Sequence, residues 1–127
     1  NGIMKTREKA YVLPVTEIVP HEECEFFDYN AKYKGASAEI TPARISPELT
    51  ELVQQTTSLI YDTLICRGII RVDYIIRQDD VYFLEVNTVP GMTTRSLVPQ
   101  EIEAAGYTLS EFLDELIRAA IDEHKSV

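Results

Sequence analysis

A chain of 127 residues, 45% hydrophobic and 26% charged, is long enough to bury one core and too short for two. Its formal net charge of −9 and pI near 4.6 leave no basic surface for tracking phosphates, which argues against nucleic acid or an anionic membrane as the main partner. No apolar run approaches the roughly 18 residues that span a bilayer, no signal peptide opens the chain, and Cys24 and Cys66 stand in no metal-like spacing. A reducing, cytoplasmic setting is expected.

The first residues, Asn-Gly-Ile, lack an initiator Met and run straight into strand-like sequence, so the chain is expected to be a piece of something longer. Gly2–Arg7 and Tyr11–Val19 are predicted to pair as a hairpin across Glu8-Lys9. Pro14 cannot donate to a ladder, which places its strand at an edge or a bulge. His21 falls in a loop as a surface residue. Phe26–Gly35 is aromatic but has neither helix nor strand period; it is predicted as an ordered loop, with Lys32 either in solvent or pointing into a cleft. Ala38–Pro42 is a short strand.

Ser46-Pro47 is a helix start, with Ser at the N-cap and Pro at the first helical position. Leu49, Leu52, Val53, Leu59, Ile60 and Leu64 recur at helical spacing to about residue 65, and Gly68 suits the terminator. Ile69–Ile76 and Val81–Val86 alternate with period two, and the polar Gln78-Asp79-Asp80 between them predicts an antiparallel hairpin. Thr88–Arg95 is turn-rich. Ser96–Pro99 opens a short helix ending near Gly106, and Thr108-Leu109-Ser110-Glu111 is a capping box before a last amphipathic helix.

Register decides what the hairpin carries. A three-residue loop, 78–80, pairs Arg77 with Val81, Asp73 with Glu85 and Arg71 with Asn87. One face then holds Ile70, Val72, Tyr74, Ile76, Tyr82, Leu84 and Val86; the other holds Arg71, Asp73, Glu85 and Asn87. A two-residue loop would put Asp73 and Glu85 on opposite faces, because a one-residue slip inverts a strand's side chains. Two carboxylates and an amide oxygen on one face form a hard-oxygen site of the kind Mg²⁺ takes with phosphate oxygens, and Arg71 beside them suits phosphate or an oxyanion. A solvated strand face with cross-strand charge pairs carries the same pattern.

Arg71-Val72-Asp73, Tyr82-Phe83-Leu84-Glu85-Val86-Asn87-Thr88 and Pro90-Gly91-Met92-Thr93…Ser96-Leu97-Val98-Pro99 closely resemble the carboxy-terminal part of D-alanine–D-alanine ligases, of the ATP-grasp superfamily. Phe27–Tyr33 resembles the family's mobile loop. The resemblance implies an α+β fold, an antiparallel sheet with packed helices forming the C-terminal ATP-grasp subdomain, with residues 1–127 as a single domain. It also implies ATP as co-substrate, Mg²⁺ or Mn²⁺ as cofactor, D-alanine as substrate, and a D-alanyl-D-alanine product for peptidoglycan.

Carried over position by position, the resemblance makes Asp73, Glu85 and Asn87 metal ligands, with Glu85 and Lys32 on the nucleotide side. Arg71 and the Gly91 N–H would stabilise the tetrahedral intermediate. Ser96 and the Leu97 N–H would hold the second substrate's carboxylate, with an ordinary N-cap as the alternative role of Ser96. Tyr33 would help seal the site and, after Lys32, resembles the ligases that take an amine acceptor. The family's N-terminal and central parts are expected to precede residue 1, so the chain alone is expected to be inactive. Two alternatives stand beside this reading. One is another ATP-grasp carboxylate–amine or D-alanine–D-lactate ligase, and the other is a non-catalytic binding domain on the same scaffold.

Overall fold

The structure, a computed structural model, describes residues 1–20 and 37–125. The predicted loop Phe26–Gly35, with Lys32 and Tyr33, and the residues His21 and Cys24 lie outside the described residues. The elements in order are β1 (Gly2–Lys5), β2 (Ala10–Val12), β3 (Glu17–Pro20), β4 (Ser37–Ile40), α1 (Pro47–Thr63), β5 (Ile69–Arg77), β6 (Asp80–Asn87), α2 (Leu97–Ala104) and α3 (Leu109–Lys125). One antiparallel sheet has the order β2-β1-β5-β6, and β3 pairs with β4 in a second. The mixed, antiparallel α+β class expected from the sequence is the one observed.

The long second strand expected over Tyr11–Val19 is two strands. β2 ends before Pro14, on the edge of the first sheet, and β3 crosses to the second. Missing an N–H, Pro14 cannot continue the ladder with β1.

Cross-strand partners sort the first sheet's side chains. Ile3 lies opposite Ile70, while Gly2 lies opposite Arg71 and Met4 opposite Ile69. Ile3, Ile70 and Val72 form a core with Tyr61 of α1, and Ile60, Tyr74 and Val86 pack against it. Met4, Leu13 and Ile69 form a second core with Val98 and Ile102 of α2 and Phe112 of α3. The sheet is therefore a middle layer, with α1 on one side and α2 and α3 on the other. Each fully buried large apolar side chain stabilises this arrangement by about 1.5–3 kcal/mol.

α1 starts as expected: the Leu49 N–H donates to the Ser46 hydroxyl at 3.1 Å. Its buried stripe, however, is Val53, Thr57 and Tyr61, while Leu52, Leu59 and Leu64 are exposed. The two polar members sit inside because they are satisfied there. The Thr57 hydroxyl donates to the Val53 carbonyl at 2.8 Å, and the Tyr61 hydroxyl donates to the Gly68 carbonyl at 2.8 Å. The helix end also differs from expectation. The Ile65 N–H donates to the Asp62 carbonyl and the Cys66 N–H to the Tyr61 carbonyl, a Schellman pair, and the residue with positive φ there is Ile65 at 53°. Gly68, the expected terminator, has φ 69° three residues later.

The β5–β6 hairpin corrects the loop and keeps the site. Arg71 pairs with Asn87, Val72 with Val86 and Asp73 with Glu85, as expected; then the register shifts, so that Tyr74 pairs with Phe83 and Arg77 with Asp80. The loop is two residues, Gln78-Asp79, with Gln78 at φ 57°, the sign that tight hairpin turns demand at their first position. Leu84 is the extra residue of a β-bulge, which absorbs the one-residue offset. Beyond the bulge the faces exchange on β6. Phe83, not Tyr82, packs edge-to-face on Tyr74 with centroids 6.5 Å apart. Tyr82, opposite Ile75, shares the face of Asp73 and Glu85.

Candidate active site

Arg71, Asp73, Glu85 and Asn87 stand together where β5 and β6 pair before the bulge. Arg71 is buried, 8% exposed, and its guanidinium is fixed in the plane of a carboxylate: Nε donates to Asp73 Oδ1 at 2.8 Å and Nη2 to Oδ2 at 3.0 Å. Side chains two apart on one strand share a face, which is why this pair forms. Asn87 Nδ2 donates to Asp73 Oδ2 at 3.4 Å, while Glu85 is exposed. Burial alone would push the Asp73 carboxyl up; the hydrogen bonds and charge of Arg71 more than reverse this and hold it below the usual carboxylate range.

Among the described residues no three His, Cys, Asp or Glu side chains gather, so the oxygen set is two carboxylates and an amide. That set still suits a hard divalent cation. A carboxylate has about four lone-pair directions, and the bidentate Arg71 takes two of them on Asp73. On the same face, past the carboxylates, Ile75 and Tyr82 are half-exposed apolar side chains. Tyr82 was placed on the opposite face by the sequence, because nothing in it announced the bulge.

The second group is the start of α2. Ser96 occupies the N-cap with extended backbone but makes no side-chain cap, in contrast to Ser46 on α1. Its hydroxyl instead turns back to Thr93, accepting from the Thr93 N–H at 3.1 Å and meeting the Thr93 hydroxyl at 2.8 Å. The N–H groups that open α2 thus keep no side-chain partner from Ser96. Gly91 packs on the same hydroxyl: a Cβ at position 91 would lie 2.7 Å from Ser96 Oγ, so a side chain there would displace that hydroxyl. Leu97 is buried.

Glu101, also on α2, was not singled out in the sequence. It is 1% exposed and meets Gly2, the cross-strand neighbour of Arg71. The signal was present in the spacing, since Leu97, Val98, Glu101 and Ile102 are one helical stripe and all four are buried.

The family described as D-ala D-ala ligase C-terminus matches residues 2–118. The chain belongs to this family. It is 56% identical over 117 residues to the D-alanine–D-alanine ligase of Bacteroides fragilis, a match covering 91% of this chain and 36% of that one. Among solved structures, the D-alanine–D-alanine ligase from Bacillus anthracis complexed with ATP superposes with a TM-score of 0.74 at 30% identity, over 98% of this chain and 38% of that one. The VanG D-Ala:D-Ser ligase from Enterococcus faecalis has a TM-score of 0.77 at 34% identity, over 93% and 34%. The chain therefore spans little more than a third of the length of its ligase relatives. No helix among the described residues is long and apolar enough to cross a membrane.

Proposed function

We propose that the chain is the C-terminal part of an ATP-dependent D-alanine–D-alanine ligase and supplies the metal and acceptor side of its active site. The observation that carries this is the union of Arg71, Asp73, Glu85 and Asn87 on one face, beside a helix start that its own serine leaves uncapped. In the reaction, the γ-phosphoryl of ATP passes to a carboxylate oxygen of one D-alanine, and ADP leaves. The amine of the second D-alanine then attacks the acyl carbon, and phosphate leaves.

Asp73, Glu85 and Asn87 would hold Mg²⁺ or Mn²⁺, whose chemistry is to neutralise the triphosphate and align its oxygens. Arg71, already immobilised by Asp73, offers its remaining donors to the charge that develops on the attacked carbonyl, with the Gly91 N–H as a second donor. The Ser96 hydroxyl and the Leu97 N–H, where α2 opens, receive the acceptor's carboxylate at the positive end of the helix dipole. Ile75 and Tyr82 provide a half-exposed apolar surface beside the carboxylates. Lys32 and Tyr33 are assigned to the γ-phosphate and to closing the site. The remaining parts of the enzyme, N-terminal and central, would complete the nucleotide side. The product class is a D,D-dipeptide for peptidoglycan, made in the cytoplasm.

The D-Ala:D-Ser ligase among the structural neighbours is matched as well as the D-Ala ligases are, so the fold does not choose between these acceptors. The test is a chimera in which this chain replaces the matching segment of the Bacteroides fragilis ligase. Glu85→Gln and Asp73→Asn are expected to cut kcat/KM for Mg-ATP at least 100-fold in a folded protein. Arg71→Ala is expected to depress kcat more than ATP affinity. Unchanged kinetics in Glu85→Gln would remove the metal assignment.

A further inference from the structure

Among the described residues, Glu101 is a buried carboxylate to which the ligase reading gives no task. Glu101 Oε1 accepts the Gly2 N–H at 2.6 Å, and Oε2 accepts the Thr16 hydroxyl at 2.9 Å; that hydroxyl in turn meets the Thr41 hydroxyl at 2.6 Å. Burial pushes the Glu101 carboxyl up, against the pull of the Gly2 N–H, the Thr16 hydroxyl and the charge of Arg71. The preceding residue ties the same turn elsewhere, with Gln100 Nε2 donating to Glu39 of β4 at 2.5 Å.

Position gives these contacts a meaning. Glu101 lies five residues after Ser96, about 7.5 Å along the helix, on the face that α2 buries against the sheet. Gly2 is the residue opposite Arg71 in the β1–β5 ladder. The contact is tight by construction: a Cβ on Gly2 would stand 3.0 Å from Glu101 Oε1. A single side chain thus joins the element that begins with Ser96 and Leu97 to the strand pair that carries Arg71. An alkyl side chain of equal size would bury the Gly2 N–H without a partner, at the cost of that donor's lost solvation. α2 could avoid that cost only by shifting. In a site where reacting groups must meet within an ångström, such a shift is costly in rate.

We propose that Glu101 is a positioning residue for acceptor capture, fixing the Ser96–Leu97 helix start relative to Arg71 through its hydrogen bonds to Gly2 and Thr16. What it supplies is a planar group with two polar ends, one accepting from Gly2 and the other meeting Thr16. Glutamine offers the same two ends, and leucine offers neither.

This inference rests on the ligase reading, and the chimera with the Bacteroides fragilis enzyme separates the two. If the unmodified chimera makes no D,D-dipeptide, the ligase reading fails and takes this inference with it. Given an active chimera, Glu101→Leu is expected to raise the KM for the acceptor D-amino acid at least 10-fold, with the KM for ATP within 2-fold. Glu101→Gln is expected to stay within 3-fold of the unmodified chimera in both. Thr16→Val, which keeps the carboxylate and its Gly2 contact, is expected to fold and to raise the acceptor KM about 3-fold. An acceptor KM unchanged in Thr16→Val, or in a folded Glu101→Leu, overturns the proposal. So does a Glu101→Gln variant as impaired as Glu101→Leu.

Discussion

At the scale of residues, Asp73 is the centre of the site, because Arg71 takes both of its oxygens while Asn87 touches one of them. That arrangement has a pH signature. The folded chain holds Asp73 below the ordinary carboxylate pKa of about 3.9, so protonating it costs more in the folded chain than in the unfolded one. Its contribution is present above that ordinary value and is lost as pH falls through the lower, folded one. Asp73→Asn removes the charge and should destabilise the chain by about 2 kcal/mol at pH 7, in the range of charge-assisted hydrogen bonds. Urea titrations at a series of pH values should show the two proteins converging below pH 4; a constant gap down to pH 2 would contradict the assignment. The four residues of this cluster were legible in the alternation of the two strands. Glu101 was not, because a glutamate in a helix ordinarily faces water, and only the partners waiting at Gly2 and Thr16 make its burial affordable.

At the scale of elements, the beginnings of α1 and α2 were readable in Ser46-Pro47 and Ser96-Leu97, but they do different things. Ser46 caps its helix, and Ser96 turns away to Thr93. The stripe of α1 was misjudged because leucines were weighted above Thr57 and Tyr61, whose hydroxyls find carbonyl partners inside. Its end was misjudged because glycine was expected at the left-handed position. Ile65 occupies it instead, 81% exposed. A β-branched residue with positive φ is strained by about 1–3 kcal/mol, and at this exposure it gains little from burial. Ile65→Gly should therefore stabilise the chain by about 1 kcal/mol despite glycine's greater freedom when unfolded. Urea unfolding with an unchanged m-value would measure it, and a loss of stability would show that Ile65 is not under strain.

At the scale of the molecule, three layers bring the proposed metal and acceptor groups to the side of the sheet that α2 and α3 cover. That side is only half roofed. Glu85, Ile75 and Tyr82 remain open beyond the start of α2. With the chain spanning about a third of its relatives' length, these open groups have the character of one wall of a cleft. The chain alone is expected to form no D-alanyl-D-alanine above a protein-free blank in a coupled phosphate-release assay with Mg-ATP and D-alanine. Sustained turnover would mean that the second wall is not required. The layer order was not readable from local pattern, since the pairing of β1 with β5 joins residues some seventy positions apart.

The bulge at Leu84 lets the two ends of one hairpin evolve as if they were separate parts. A loop shorter by one residue and an insertion at Leu84 cancel before they reach Asp73 and Glu85. A lineage could lengthen the turn, drop the bulge and turn the tip inside out, trading Tyr82 for Phe83 on the open face. The pairing of Arg71 with Asn87 and of Asp73 with Glu85 would inherit none of that change.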